Sequence, residues 1–230
     1  MPKHIGIVAC SGEGAALCYR TICAEGPALM GTHAHPEISM HTHSLAEYMI
    51  PTLRDDWRGV AKLMLDSAHK LKATGAEFLI CPDNTIHRAF EFVALESPLP
   101  WLHIVEEVAS EAKRHGFKRL AVTGTRYTMQ GPVYPQKLGE VGIDYRVPND
   151  TEIDEINRII FDELVNGVFK PEGVRYFQQV IEHMKNDGCD AVVLGCTEIP
   201  LIINDENSSL PTLDSTRLLA RAALRFALKQ

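Results

Sequence analysis

Residues 75–87, GAEFLICPDNTIH, can be laid over residues 188–200, GCDAVVLGCTEIP, at an offset of 113. Each stretch leads from a glycine through an apolar run to a short polar tip. The register sets Asp83 against Cys196 and Asn84 against Thr197. A second pair, KHIGIVACSG (3–12) and KRLAVTGTRY (118–127), aligns at an offset of 115 and sets Cys10 against Thr125. Two separate pairs at nearly one offset imply two similar halves, 1–97 and 98–209. A last helix, entered through PTLDSTR (211–217), is expected to return to the first half. The first lobe is then 1–97 plus 210–230, and the second 98–209.

The apolar runs at 4–10, 77–81, 119–124 and 190–195 are too short for ordinary helices and stop at Gly, Pro or a small residue, so they read as buried strands. Between them lie helical patterns. In 57–73, Val60, Leu63, Met64, Ala68 and Leu71 recur at helical spacing. In 152–165, Ile153, Ile156, Ile159, Ile160 and Leu164 do the same, with Thr151 as the expected cap. Residues 173–186 and 214–228 are also expected to be helical. Strands alternating with helices predict an α/β fold with parallel sheets and right-handed crossovers.

Composition narrows the function. With 230 residues the chain can bury a substantial core, and its net charge of −7 lacks the clustered positive charge that nucleic acid requires. No apolar stretch approaches the roughly 20 residues of a membrane span, and the start is too soon interrupted for a signal peptide. The six cysteines include no C-x-x-C spacing, which argues against a zinc ribbon and for a reducing, cytoplasmic setting. Cys10, Cys18, Cys23, Cys81 and Cys189 read as core residues.

In parallel α/β sheets, ligands gather at the carboxyl ends of strands. Both tips, Asp83-Asn84-Thr85 and Cys196-Thr197-Glu198, stand at such ends. Halves facing each other about a pseudo-twofold axis would bring them to one cleft. A thiolate on one face of a carbon and an acid on the other can then remove and replace a proton with inversion. Hydroxyls, amides and helix-start N–H groups would hold a carboxylate.

LGCTEIP, the N-T-x-H of the first tip, GTRYTM (124–129) and the terminal D-S-T-R together resemble the aspartate/glutamate racemase superfamily over nearly the whole chain. The resemblance implies two α/β lobes related by a pseudo-twofold axis, an active site in the cleft between them and no cofactor. It also implies a small amino-acid or carboxylate substrate and, in many members, a homodimer. It makes Cys196 one catalytic residue. Asn84 and Thr85 become carboxylate contacts or caps of the helix that follows, Thr125 and Thr197 carboxylate contacts, and Ser11 part of a substrate loop. Where the family's first cysteine precedes Asn-Thr, this chain has Asp83.

Three readings of Asp83 follow. It is the second acid/base of a racemase or epimerase. Or it holds a positive substrate group while Cys196 works alone, as in a decarboxylase or isomerase. Or it disables the site and leaves a metabolite-binding protein. Cys81, two residues earlier, is offset and followed by Pro82, a poor substitute. Glu198 reads as a helix-start charge or as an orienter of an acid/base, the first being favoured. Arg126 is a counter-charge for a carboxylate or an ordinary ion pair, and His87 a packed residue or a site residue. No nucleotide site is read from Ser11-Gly12-Glu13-Gly14, which lacks a third glycine. No metal is expected at His33, His35, His41 and His43, which are not i, i+4 helix pairs. His41 and His43 alternate along a strand and would instead point together at the cleft.

Overall fold

The structure is a computed structural model that describes residues 1–229. No helix among the described residues is long and apolar enough to cross a membrane. The chain divides into two compact units, one comprising Met1–Ile104 with the chain from Thr216 onward, the other Val105–Ser215.

In the first unit, strands β1 (Ile5–Ala9), β2 (Ile38–Thr42), β3 (Phe78–Ile80) and β4 (Trp101–Leu102) form a parallel sheet ordered β2-β1-β3-β4. Every residue of β1 and β3 is buried, which is why both read as unbroken apolar runs. Gly6 leaves room for the side chain of its strand partner Leu79, whose Cδ2 would lie 2.5 Å from a Cβ there. Helices α1 (Gly12–Met30), α2 (Leu45–Thr52), α3 (Trp57–Ala73) and α4 (Phe90–Glu96) supply the crossovers. Helix α3 spans the residues its periodicity predicts. It is capped by the Asp56 carboxylate on the Gly59 N–H at 2.9 Å, and it buries Val60, Met64, Ala68 and Leu71 on one stripe. Truncating Met64 to Ala would cost about 2–5 kcal/mol by the lost transfer energy and the cavity left behind. The C-terminal helix, Ser215–Leu228, lies in this unit from Thr216 onward, with Phe226 against Phe78 at a ring separation of 4.7 Å.

The second unit repeats the order. Strands β5 (Arg119–Gly124), β6 (Asp144–Arg146), β7 (Ala191–Gly195) and β8 (Thr212–Asp214) form a parallel sheet ordered β6-β5-β7-β8. Its helices are α5 (Ile104–His115), α6 (Arg126–Met129), α7 (Val133–Glu140), α8 (Asp150–Arg158) and α9 (Pro171–Asn186). The cap of α8 is Asn149, whose amide oxygen accepts from Glu152 N–H while the Glu152 carboxylate accepts from Asn149 N–H. Thr151 is already helical, so the expected cap is corrected. A capping box needs the acid three residues on, and Glu152 stands in that relation to Asn149, not to Thr151. The helix expected over 152–165 also breaks, into a wide turn at Ile159–Glu163 and a 3-10 turn at Leu164–Asn166, closed by left-handed Gly167 at φ 71°.

Strand pairing carries the repeat. Ile5 pairs with Phe78 in one sheet and Leu120 with Ala191 in the other. Setting Ile5 on Leu120 therefore sets Phe78 on Ala191, an offset of 113, and extending that register past the strand ends brings Asp83 onto Cys196.

Candidate active site

The first tip follows β3. Pro82 ends the strand, and a 3-10 turn, Thr85–Ala89, begins at once. The Asp83 carboxylate caps it, with Oδ1 accepting from the Ile86 N–H at 3.1 Å. Asn84, 5% exposed, makes no side-chain cap bond, and Thr85 is half-buried. Capping at this tip is thus done by Asp83.

His87 holds the tip from behind. Its Nδ1–H donates to the Asp83 carbonyl at 2.6 Å, while its Nε2 accepts from the Ile104 N–H at 3.3 Å. Those two bonds select the neutral Nδ1–H tautomer. Burial drives the His87 pKa down to about 4, opposed by the bond to Asp83. His87 therefore positions the backbone of Asp83. Two residues before Asp83, Cys81 is fully buried and its thiol is pushed well above its ordinary range, by burial first and then by the Asp83 charge. It is not available as a thiolate.

The second tip follows β7. Gly195 permits it: a Cβ there would lie 2.5 Å from the Thr123 carbonyl oxygen. Cys196 is half-buried, and its thiol donates to Glu198 Oε2 at 2.9 Å. The Thr197 hydroxyl donates to the same oxygen at 2.7 Å. Glu198 itself is 3% exposed. Glu198 does stand at the start of the short turn Ile199–Leu201, but its carboxylate makes no cap bond there and instead receives two side-chain donors, which adds the orienting role. A buried carboxylate in contact with a thiol can take up and return the thiol proton. The sequence signal was an acid two residues past the thiol, but only the turn of the chain there brings the groups into contact.

The other expected contacts lie near strand ends. Ser11 caps α1, accepting from the Gly14 N–H at 3.2 Å, and Thr125 caps α6, accepting from the Thr128 N–H at 3.3 Å. Ser11 and Thr125 thus fill matching places after β1 and β5. Arg126 forms an ion pair with Asp154, and its backbone N–H donates to Asn157 Oδ1 at 2.9 Å. Its guanidinium is directed to α8.

Known proteins include clear relatives of this chain. The family model for Asp/Glu/hydantoin racemases matches residues 7–223. The chain is 28% identical over 166 residues to the broad specificity amino-acid racemase RacX of Bacillus subtilis (strain 168), covering 71% of this chain and 70% of that protein. Among solved structures, a Yersinia pestis protein provisionally named an Asp/Glu racemase superposes with a TM-score of 0.89 at 30% identity, over 99% of this chain and all of the other (100%). An aspartate racemase homologue from Pyrococcus horikoshii OT3 superposes with a TM-score of 0.86 at 29% identity, over 100% of both chains. The match spans both sheets and both strand-end tips, and the chain belongs to the Asp/Glu/hydantoin racemase family of enzymes.

Proposed function

We propose that this enzyme is a cofactor-independent amino-acid racemase or epimerase in which an Asp/Cys pair replaces a Cys/Cys pair. The observation that carries the reading is the Cys196 thiol at the end of β7, bonded to the buried Glu198 carboxylate, with Asp83 at the matching station after β3. In this mechanism the two tips serve one substrate. Glu198 takes the thiol proton, and the thiolate removes the α-proton from one face. The protonated Asp83 carboxyl returns a proton to the other face, leaving the inverted amino acid. The reverse direction uses the same groups in exchanged roles. Asn84, Thr85, Thr125, Thr197 and the Ser11 loop hold the substrate carboxylate. Arg126 would join them only by leaving Asp154.

A second reading is favoured by the Asp83–Ile86 bond. A carboxylate that stays ionised against a backbone N–H can bind the substrate ammonium while Cys196 works alone. Incubating a panel of amino acids in heavy water separates the two. Loss of the α-proton together with optical rotation supports two-sided transfer. Exchange with retention supports one-sided chemistry. Absence of exchange and turnover across amino acids and small carboxylates would sink both.

A further inference from the structure

The geometry points to a transition-metal site formed by His41, His43 and Asp66, which would take one divalent cation of the zinc type and clip β2 to α3. Each residue offers one donor atom, and the three atoms lie within 4.8 Å of one another. His41 is in β2, an edge strand, and His43 lies just beyond its end. Two residues apart on extended chain, they face the same way, and their ring centroids are 5.0 Å apart. Asp66 comes from α3, so the donors belong to two elements that are already packed.

Outer contacts orient both rings. His41 Nδ1 is 2.9 Å from the Ser67 hydroxyl, and Ser67 is fully buried. His43 Nδ1 faces Glu47 Oε2 at 3.6 Å. With both Nδ1 atoms engaged, the Nε2 atoms become the ligands, and His43 Nε2 already stands 2.8 Å from Asp66 Oδ2. A ligating histidine commonly has its other ring nitrogen tied in this way. Two imidazoles and a carboxylate suit zinc-type ions, with water completing a four-coordinate shell. Bond lengths near 2.0–2.1 Å require the donors to rearrange around the ion, the 2.8 Å His43–Asp66 pair opening and any wider pair closing. Lys70 Nζ, 2.6 Å from Asp66 Oδ2, is the competing cation that holds the carboxylate when no ion is bound.

The test uses the full chain, tag-free and chelator-treated, titrated with zinc chloride by calorimetry and with cobalt chloride by absorbance. One ion per chain is expected. His43→Gln and Asp66→Asn should each weaken binding about 100-fold, and Ser67→Ala about tenfold. Lys70→Met removes no ligand and should tighten binding about tenfold by removing a like charge. It keeps the test decisive should a ligand variant misfold. Two results overturn the site: no stoichiometric binding, or zinc that persists in His41→Gln/His43→Gln and is lost in Cys196→Ala, which would place the ion on a thiol.

Discussion

The tip after β3 and the tip after β7 sit at one station in two sheets of the same strand order, yet they use their acids differently. At the first, Asp83 turns a carboxylate oxygen to its own following turn, and buried His87 holds its carbonyl. At the second, Glu198 turns away from backbone capping and gathers the Cys196 thiol and the Thr197 hydroxyl. One tip is a carboxylate held by backbone; the other is a thiol held by a carboxylate. A strand-end station constrains where a group stands, and the residues just beyond it decide which proton that group can move.

The largest test of this contrast is Cys196→Ala. It should lower α-proton exchange in heavy water by about 10²–10⁴-fold, the range for a lost acid/base group. Full activity in this variant would end the thiol mechanism. Asp83→Asn comes next. Racemisation should fall about 100-fold while some exchange with retention survives through Cys196. A rise in KM with kcat unchanged would instead assign Asp83 to the substrate ammonium. Glu198→Gln keeps the shape and the acceptor oxygen but not the proton uptake. We expect kcat to drop roughly tenfold to 100-fold, with KM nearly constant.

His87 makes the contrast visible in stability. Its pKa is about 4 folded against 6.5 in the unfolded chain, so below pH 6.5 the unfolded state binds the extra proton. Stability is fully present above pH 6.5 and declines as pH falls towards about 4. Integrated over that window, the loss is about 3 kcal/mol. Urea unfolding of His87→Gln should show a shallower decline between those limits, from a lower starting stability. A parallel decline would remove His87 as the cause. The smallest effect is expected at Arg126→Ala, where an exposed ion pair with Asp154 contributes about 0–1 kcal/mol. A large rise in KM there would restore Arg126 as a substrate contact.

Legibility followed burial. Strands β1, β3, β5 and β7 are the inner strands of their sheets, and their cores are apolar because both faces are covered. The edge strands carry no such signal. β2 reads ISMHT, β6 reads DYR and β4 has two residues, all half-exposed or open. Their strand character comes from pairing with a neighbour. Thr151 is locally an adequate cap residue, but the reciprocal bond belongs to the residue three before Glu152, which is Asn149.

By itself, the sequence determined the α/β alternation, the doubled plan and the matching strand-end stations at which Asp83 and Cys196 stand. Those follow from periodicity and repetition, which are local. Only the tertiary structure decided that Glu198 serves the thiol, that His87 is a neutral brace, and that His41 and His43 meet Asp66. These pairings depend on how turns curl at strand ends and on which side chains lose water together. At Glu198 and His87 the hydrogen bonds take their strength from a burial that no local pattern records.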